Sequence, residues 1–299
     1  MKFTPVKSDT QPRLGKLVYQ CPINWKISAL AELPSGVMLG IYDNVSRRDS
    51  KILWNGKVVA RLVDGVMSDN FNAETIGQPL IVGNYAIAAG ECGYLVAATG
   101  GRVFEHEKAK LKWATTCALY AGVAYVFDSD GEKNTARDCI TGETAFIMPG
   151  TGIIMAATEF NFLMWAAMAD SDDGKHGVSC SNGRLWRADA CMCIVNAWGR
   201  LLFSSGNKVS AMDPAGPVLI KELPCEKIMH MAMCSGRLRI AGANPDTAWE
   251  ADCHGNLTTI GTFTDGNAAV GGSCFRVRIS DRYFARAFNG VTGQVYEVI

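Results

Sequence analysis

The sequence of 299 residues has no excess of charge of either sign, because 29 Lys and Arg residues balance 29 Asp and Glu residues. Domains that bind nucleic acids usually carry a basic surplus, and solvating acidic tails carry the opposite one. The neutral balance argues against both classes. We therefore expect no nucleic-acid partner.

The sequence also lacks a long hydrophobic run. No apolar stretch follows the opening residues MKFTPVKSDTQPR, so no secretory signal is predicted. The most apolar segment, 152–168, is interrupted by Thr158, Glu159 and Asn161 and is shorter than the roughly 20 residues that span a bilayer. We expect a soluble protein that is made in a cytosol without export and has no membrane partner.

Motifs for metals and cofactors are missing. The eleven cysteines form no Cys-x-x-Cys pair, and the four histidines lie in separate segments. This spacing excludes the usual zinc motifs, and most thiols are predicted to be small buried apolar side chains. Because P-loop and dinucleotide-binding glycine patterns are absent as well, we expect no cofactor.

Two acidic loops are the remaining candidates for a metal site. Their carboxylates are Asp128, Asp130 and Glu132 in the first loop and Asp170, Asp172 and Asp173 in the second. Clustered carboxylates beside a glycine resemble a calcium-binding loop, but the full twelve-residue pattern is missing. Since Asp, Ser and Gly also form ordinary turns, we predict solvated loops, with a metal site as the alternative.

What the sequence does have is an internal repeat of short apolar strands and tight turns. A first series of turns is anchored at residues 36, 84, 122, 161, 200, 237 and 282, at intervals of 37 to 48 residues. A second series of six turns alternates with it and includes Asn55-Gly56, Gly100-Gly101 and Asn182-Gly183. Asn-Gly and Gly-Gly between apolar runs favour β-hairpins, because the turns that join them need positive φ. The repeat predicts an all-β protein.

The two series differ in number by one. The chain stops at Gln294–Ile299, where a seventh second hairpin should begin, and a spare apolar segment, 14–21, precedes the first repeat. This arrangement resembles the β-propeller superfamily, in which an N-terminal segment often supplies the outer strand of the last blade and so removes exposed sheet edges. The Trp-Asp and kelch signatures are absent. We predict a seven-bladed propeller of four-stranded antiparallel blades over residues 14–299, closed by the N-terminal strand, with residues 1–13 as an arm.

Two structural alternatives remain at this point. A helix over 152–168 is compatible with its almost continuous apolar residues, although the repeat favours two strands that meet at Phe160-Asn161. Six blades are possible if the second repeat is a misread insertion.

The resemblance directs the search for chemistry to the inner strands, which line the channel of propeller enzymes. Glu32 and Glu159 are the carboxylates near these strands, and His230 lies between methionines without a neighbouring acid. Glycosidases need two carboxylates around the scissile bond, and hydrolase triads need a base near a nucleophile. We therefore predict no catalytic residues and a protein that is not an enzyme.

Residues at the predicted turns and in one long connection suggest a contact surface. Basic residues that would share one face of a propeller are Lys57, Arg102, Arg184, Arg200, Arg237 and Arg282. Met67 and Phe71, in the long connection after the first blade, are predicted to anchor on a neighbour, with contact to the propeller core as an equal alternative. We predict a docking face for an acidic surface of a partner protein; ordinary solubilising residues beside turns are the alternative.

The N-terminal arm also implies protein partners, because the polar segment 2–13 has little means of ordering itself and is predicted to be held by a neighbouring chain. Plain propellers of this size resemble structural modules of tailed-phage virions, where they lie around tails, baseplates or connectors. The resemblance implies a docking component of a large assembly. A glycan- or receptor-binding module on a particle surface and a propeller hydrolase are the alternative functions.

Overall fold

The computed structural model describes residues 1–5, 14–33, 36–45, 49–63, 79–82, 85–90, 93–98, 102–106, 114–129, 132–169, 176–262, 278–286 and 289–299. Every regular element in these ranges is a β-strand. None of the described segments is therefore a helix that could cross a membrane.

The strands form sheets that follow one another along the chain, after β1 (Thr4–Pro5) and β2 (Leu14–Gln20). Sheet 1 contains β3 (Trp25–Leu33), β4 (Gly36–Asp43), β5 (Asp49–Trp54) and β6 (Lys57–Val63). Sheet 2 contains β7 (Pro79–Val82), β8 (Tyr85–Gly90), β9 (Gly93–Ala98) and β10 (Arg102–His106). Sheet 3 contains β11 (Ala114–Tyr120), β12 (Val123–Ser129), β13 (Asn134–Asp138) and β14 (Thr144–Met148).

The second half of the chain continues the series. Sheet 4 contains β15 (Ile153–Phe160), β16 (Leu163–Ala169), β17 (Gly177–Cys180) and β18 (Leu185–Arg187). Sheet 5 contains β19 (Ile194–Ala197), β20 (Arg200–Ser205), β21 (Lys208–Asp213) and β22 (Gly216–Glu222). Sheet 6 contains β23 (Lys227–Cys234), β24 (Arg237–Ala243), β25 (Thr247–Ala251) and β26 (Asn256–Thr262). Sheet 7 contains β27 (Arg278–Ile279), β28 (Tyr283–Arg286) and β29 (Gln294–Val298), with β2 as its fourth strand.

Neighbouring strands within each of these sets of four pair antiparallel, and β1 adds a fifth, parallel strand to sheet 6. The first strand of each sheet contacts the first strand of the next. These contacts run in chain order from β3 to β27, and β27 contacts β3. Four-stranded antiparallel sheets arranged around a common centre are the architecture of a β-propeller.

The outer edge of sheet 7 is covered by the early strand β2. Leu14 lies opposite Val298 and Gln20 lies opposite Gln294 in an antiparallel pair. Cys21, at the end of this segment, is buried in an apolar cluster shared by sheets 1 and 7. The pairing satisfies backbone groups that would otherwise form an open sheet edge.

Apolar clusters fill the spaces between neighbouring sheets. Phe127 of sheet 3 packs in one cluster with Ile154 and Met164 of sheet 4. Val178 of sheet 4 packs in another with Phe203 of sheet 5. Because the central strands are buried on both faces, they read as continuous apolar runs in place of the alternating pattern of half-exposed strands.

Two-residue turns join several of the first hairpins. Ala121-Gly122, Trp198-Gly199 and Ser235-Gly236 have positive φ at both positions, 44° to 51° at the first residue and 71° to 79° at the glycine. Such turns match the twist of the paired strands, and glycine suits the second position because it has no Cβ. These turns are the anchors of the repeat in the sequence.

The segment 152–168 forms β15 and part of β16, not the alternative helix. Its turn falls on Asn161-Phe162, one residue later than predicted, with φ of 50° and 59°. Asparagine tolerates positive φ, whereas a bulky residue such as phenylalanine rarely adopts it. Turn propensities therefore placed the turn too early.

Residues 1–5 dock on sheet 6. β1 pairs in parallel with the start of β26, and the Thr4 N–H donates to the carbonyl of Gly255 at 2.7 Å. Phe3 is only 3% exposed and packs in the apolar cluster between sheets 5 and 6. The propeller itself thus holds this part of the arm, where we expected a neighbouring chain; residues 6–13 lie outside the described residues.

Candidate interaction face

The turns between first and second strands and those between third and fourth strands emerge on one side of a propeller of this kind, which we call the hairpin face. The described first–second turns are 121–122, 161–162, 198–199, 235–236 and 280–282, and the third–fourth turns include 55–56, 139–143, 181–184, 214–215 and 252–255. The predicted basic residues lie in or next to turns of this face: Lys57, Arg184, Arg200, Arg237 and Arg282. Arg102 is the first residue of β10. Met67 and Phe71 lie outside the described residues.

Arg282 is neutralised by Glu32 of the neighbouring sheet. The Glu32 carboxylate accepts the backbone N–H of Arg282 and the Ser280 hydroxyl, both at 3.0 Å, and forms an ion pair with the Arg282 guanidinium. Partial burial by itself would raise the pKa of Glu32, but these hydrogen bonds and the nearby positive charge outweigh it and lower the pKa. The contact joins sheet 1 to sheet 7 and leaves Arg282 little charge to offer a partner.

Arg237 is engaged in a similar way. Its Nη1 lies 3.1 Å from Glu250, whose other carboxylate oxygen lies 3.0 Å from Nε of Arg239. Glu250 is 4% exposed, and Arg239 also donates to the backbone carbonyls of Ser280 and Asp281 in the next sheet. This network, in which Glu250 and Arg239 are buried, joins sheets 6 and 7.

Three of the predicted basic residues remain available on the hairpin face. Lys57, Arg184 and Arg200 are exposed, and none of them forms an ion pair with a described residue. Acidic side chains such as Asp213 and Asp252 lie on the same face in sheets 5 and 6. The broken ring of positive charge that we expected is therefore reduced to Arg184 and Arg200 on the adjacent sheets 4 and 5, with Lys57 apart on sheet 1.

Phe162 is the most exposed large apolar side chain of the described residues, at 87%. It occupies the second turn position, which is glycine in the corresponding turns of sheets 3, 5 and 6. Its carbonyl accepts the Tyr120 hydroxyl at 3.1 Å, and Glu159 beside the turn accepts the N–H of Ala121 at 2.8 Å. Two hydrogen bonds thus hold this turn against sheet 3.

Phe162 is not among the residues predicted from the sequence. Aligning the turns on Gly122, Gly199 and Gly236 places Phe162 at the position of the glycine, so the departure from the repeat was a visible signal. With the turn predicted at Phe160-Asn161, Phe162 falls in the following strand and the departure is hidden.

Adjacent first–second turns are also linked directly. Nε1 of Trp198 in sheet 5 donates to the carbonyl of Gly236 in sheet 6 at 2.8 Å. Together with the hydrogen bonds of Tyr120, Glu32 and Arg239, this contact joins turns that belong to different sheets. Hydrogen bonds between sheets therefore connect several of the described turns of the hairpin face.

The inner carboxylates do not form a pair. Glu32 and Glu159 are each the second-last residue of the first strand of a sheet, and each accepts an N–H from the turn of the preceding sheet. His230 is partly buried on β23. Within the described part of the chain, these two acids serve separate turns and do not converge around a common bond.

The acidic loops are only partly described. Asp128 is buried and lies 3.6 Å from Nε of Arg137, while Glu132 is exposed. Asp130, Asp170, Asp172 and Asp173 lie outside the described residues. The described residues contain no group of three or more histidine, cysteine or carboxylate side chains placed to hold a metal ion.

The described cysteines are free thiols, and most of them are buried. Burial raises the pKa of Cys21, Cys191 and Cys234 to about 12. Cys253, in a turn of sheet 6, is exposed. The buried thiols therefore pack as small apolar side chains that resist ionisation.

Comparisons with known proteins bear on the fold. No protein-family model matches the sequence, and no curated protein is significantly similar to it. A streptogramin B lyase structure superposes with a TM-score of 0.67 at 11% identity, over 98% of this chain and 100% of that chain. BBS1N, solved in complex with ARL6DN, gives a TM-score of 0.60 at 12% identity over 97% and 98% of the two chains.

A third similar structure is itself described as a β-propeller. The WD40 β-propeller domain of Doa1 has a TM-score of 0.57 at 11% identity, over 92% of this chain and 97% of that chain. These similarities give no support to the tailed-phage resemblance, and at such identities they establish the fold alone. The chain has the β-propeller fold.

Proposed function

We propose that the protein is a non-enzymatic docking propeller that binds an acidic surface of another protein through its hairpin face. The observation that carries the proposal is the contrast between paired and unpaired arginines. Arg237 and Arg282 form ion pairs within the propeller, whereas Arg184 and Arg200 are exposed on adjacent sheets and make no ion pair with a described residue. Exposed guanidinium groups suit planar carboxylates of a partner.

A rigid surface favours this function. Hydrogen bonds link the hairpin face of sheet 3 to that of sheet 4 and of sheet 5 to that of sheet 6, so binding would cost little ordering of these turns. BBS1N, a solved chain of similar fold, is in a complex with another protein, ARL6DN. Protein–protein binding is therefore compatible with this architecture.

The alternatives have less support. A hydrolase needs converging acids, and Glu32 and Glu159 each bind a different turn. A glycan-binding face would present several free aromatic rings, whereas Tyr120 and Trp198 are partly buried and hydrogen-bonded to neighbouring turns. The more specific assignment to a phage virion depends on the resemblance in sequence style alone.

Charge reversal tests the proposal. The wild-type protein, the double variant Arg184→Glu/Arg200→Glu and the control Lys208→Glu, which lies on the opposite face of sheet 5, are purified in parallel from their native source. We expect a stoichiometric protein partner with the wild type and the control, and its loss from the double variant at an unchanged Tm. Equal recovery of that partner with the double variant would contradict the proposal.

The finer architecture that we propose is one ring of seven blades, with β2 as the outer strand of the last blade. It is supported by the pairing of β2 with β29 and by the contacts of successive first strands around to β3. Deletion of residues 1–20 is expected to increase hydrogen exchange in β29 more than in the other strands, whereas deletion of residues 1–5 should not affect β29 more than the rest. Unchanged exchange in β29 after the longer deletion would count against this closure.

A further inference from the structure

The turn of sheet 4 departs from its counterparts at one residue. In sheets 3, 5 and 6 the second turn position is Gly122, Gly199 or Gly236, with φ of 71° to 79°, whereas in sheet 4 it is Phe162, with φ of 59°. A left-handed backbone brings the Cβ of an L-residue close to its own backbone, so phenylalanine is strained there and glycine is not. Phe162 is therefore an unfavourable residue for this turn position.

In the described structure, no packing of the Phe162 ring offsets this strain. The Phe162 side chain is 87% exposed and belongs to none of the buried clusters. The hydrogen bond from Tyr120 uses the carbonyl of Phe162, which any residue would supply. Strained residues without a structural benefit are typical of binding sites.

Phe162 shares the hairpin face with Arg184 and Arg200, which form no ion pair with a described residue. Met164, two residues beyond Phe162, exchanges hydrogen bonds of 2.9 and 3.2 Å with Ser181, which brings the two turns of sheet 4 together. Arg184 lies in the second of these turns, and Arg200 begins the second strand of the next sheet. Exposed aromatic and arginine side chains are the residues that most often dominate protein interfaces.

We infer that Phe162 is the apolar anchor of the docking face and packs against apolar side chains that are flanked by acidic residues in a partner protein. The inference rests on the proposed function and specifies its partner. The ring contacts the apolar side chains, while Arg184 and Arg200 pair with the flanking carboxylates. The conformational strain of the turn is maintained because the projecting ring is needed for binding.

A library of random twelve-residue peptides displayed on a carrier tests this inference. Selection on the wild-type protein is expected to enrich peptides that combine apolar residues with Asp or Glu. The affinity of the enriched peptides, made synthetically, is then measured for the wild type and for Phe162→Gly, Phe162→Tyr and Ile23→Ser, the last as an exposed apolar control outside the hairpin face.

Phe162→Gly should weaken binding by roughly 30-fold or more, as expected for an interface hot spot. Its Tm should rise by about 2–4 °C, because the turn is relieved of strain. Phe162→Tyr should retain binding within a few-fold, and Ile23→Ser should not change it. Loss of binding with a gain in stability separates a functional ring from a structural one.

The failures of the two proposals are distinguishable. The acidic peptides could bind Phe162→Gly as tightly as wild type and yet fail to bind Arg184→Glu/Arg200→Glu. That result would contradict the role of Phe162 as anchor but would still support the docking face. If no acidic peptide is enriched, or none of these variants changes binding, the proposed function fails as well. A lower Tm for Phe162→Gly would show that Phe162 does not strain the turn, and would contradict the inference.

Discussion

The carboxylate of Glu32, in sheet 1, accepts the backbone N–H of Arg282, in sheet 7, at 3.0 Å. Glu159 has the same relation to Ala121 in sheets 4 and 3, at 2.8 Å. Two sheets thus use an acid at the same strand position to bind the turn of the preceding sheet. Glu32 and Glu159, the acids next to the inner strands, therefore connect neighbouring sheets.

Glu32→Gln is expected to reduce the free energy of unfolding at pH 7 by about 1 kcal/mol, since it removes a charge-assisted contact that is partly open to solvent. The folded-state pKa of Glu32 is lowered, so its contribution is present above the ordinary glutamate value of about 4.3 and is lost as the pH falls through the lowered pKa. Urea unfolding of wild type and variant at pH 7 and at pH 3 measures this difference.

The control for this experiment is Glu143→Gln, an exposed acid on the same face. We expect it to have no measurable effect at either pH. A difference between Glu32→Gln and wild type that is as large at pH 3 as at pH 7 would contradict the assigned role of the Glu32 charge.

Arg239→Leu is expected to destabilise the protein by about 3 kcal/mol, because it leaves Glu250 buried without one of its two cations. Arg237→Leu removes the other cation, whose side chain is largely exposed, and should cost less than about 1 kcal/mol. Denaturant unfolding of both variants gives the comparison. Equal losses of stability in the two variants would mean that burial of Arg239 does not determine its contribution to the ion pair with Glu250.

Phe3→Ala should release residues 1–5 from sheet 6. Truncation of this buried ring is expected to cost about 3 kcal/mol, the lower end for phenylalanine, because the segment can also detach. Hydrogen exchange at the Thr4 amide, which donates to Gly255, should increase together with the loss of stability. Lys2→Ala, at an exposed position, is the matched control and should change neither quantity.

Thiol labelling tests the burial of the cysteines. At pH 8 under native conditions we expect Cys253 to react first among the described thiols, because it is exposed. Cys21, Cys191 and Cys234, with pKa raised to about 12, should react only after denaturant is added. Mass spectrometry of alkylated peptides before and after unfolding identifies the order, and early labelling of Cys191 would be inconsistent with the fold.

The strands and most turns were predictable because they follow local rules. Gly122, Gly199 and Gly236 mark turns that need positive φ, and the apolar runs after them are the buried second strands. The assignment of segment 14–21 to the C-terminal sheet followed from an unmatched hairpin, and β2 pairs with β29 there.

The contacts that define the interaction face were not predictable in the same way. Glu32 and Arg282 are 250 residues apart, so nothing local in the sequence indicates that they pair. Docking of residues 1–5 depends on one buried ring, Phe3, in a segment that reads as polar. Composition identifies which side chains are basic, but only tertiary structure decides which of them remain unpaired.

The two strands of the β2–β29 pair are synthesised at very different times. Leu14 and its partner Val298 are far apart in the sequence, so Leu14 leaves the ribosome well before Val298 is made. At about 5–20 residues per second, the early strand waits on the order of tens of seconds before it can pair. Until then β29 has no outer neighbour, so the last sheet is completed only after the rest of the series has been made.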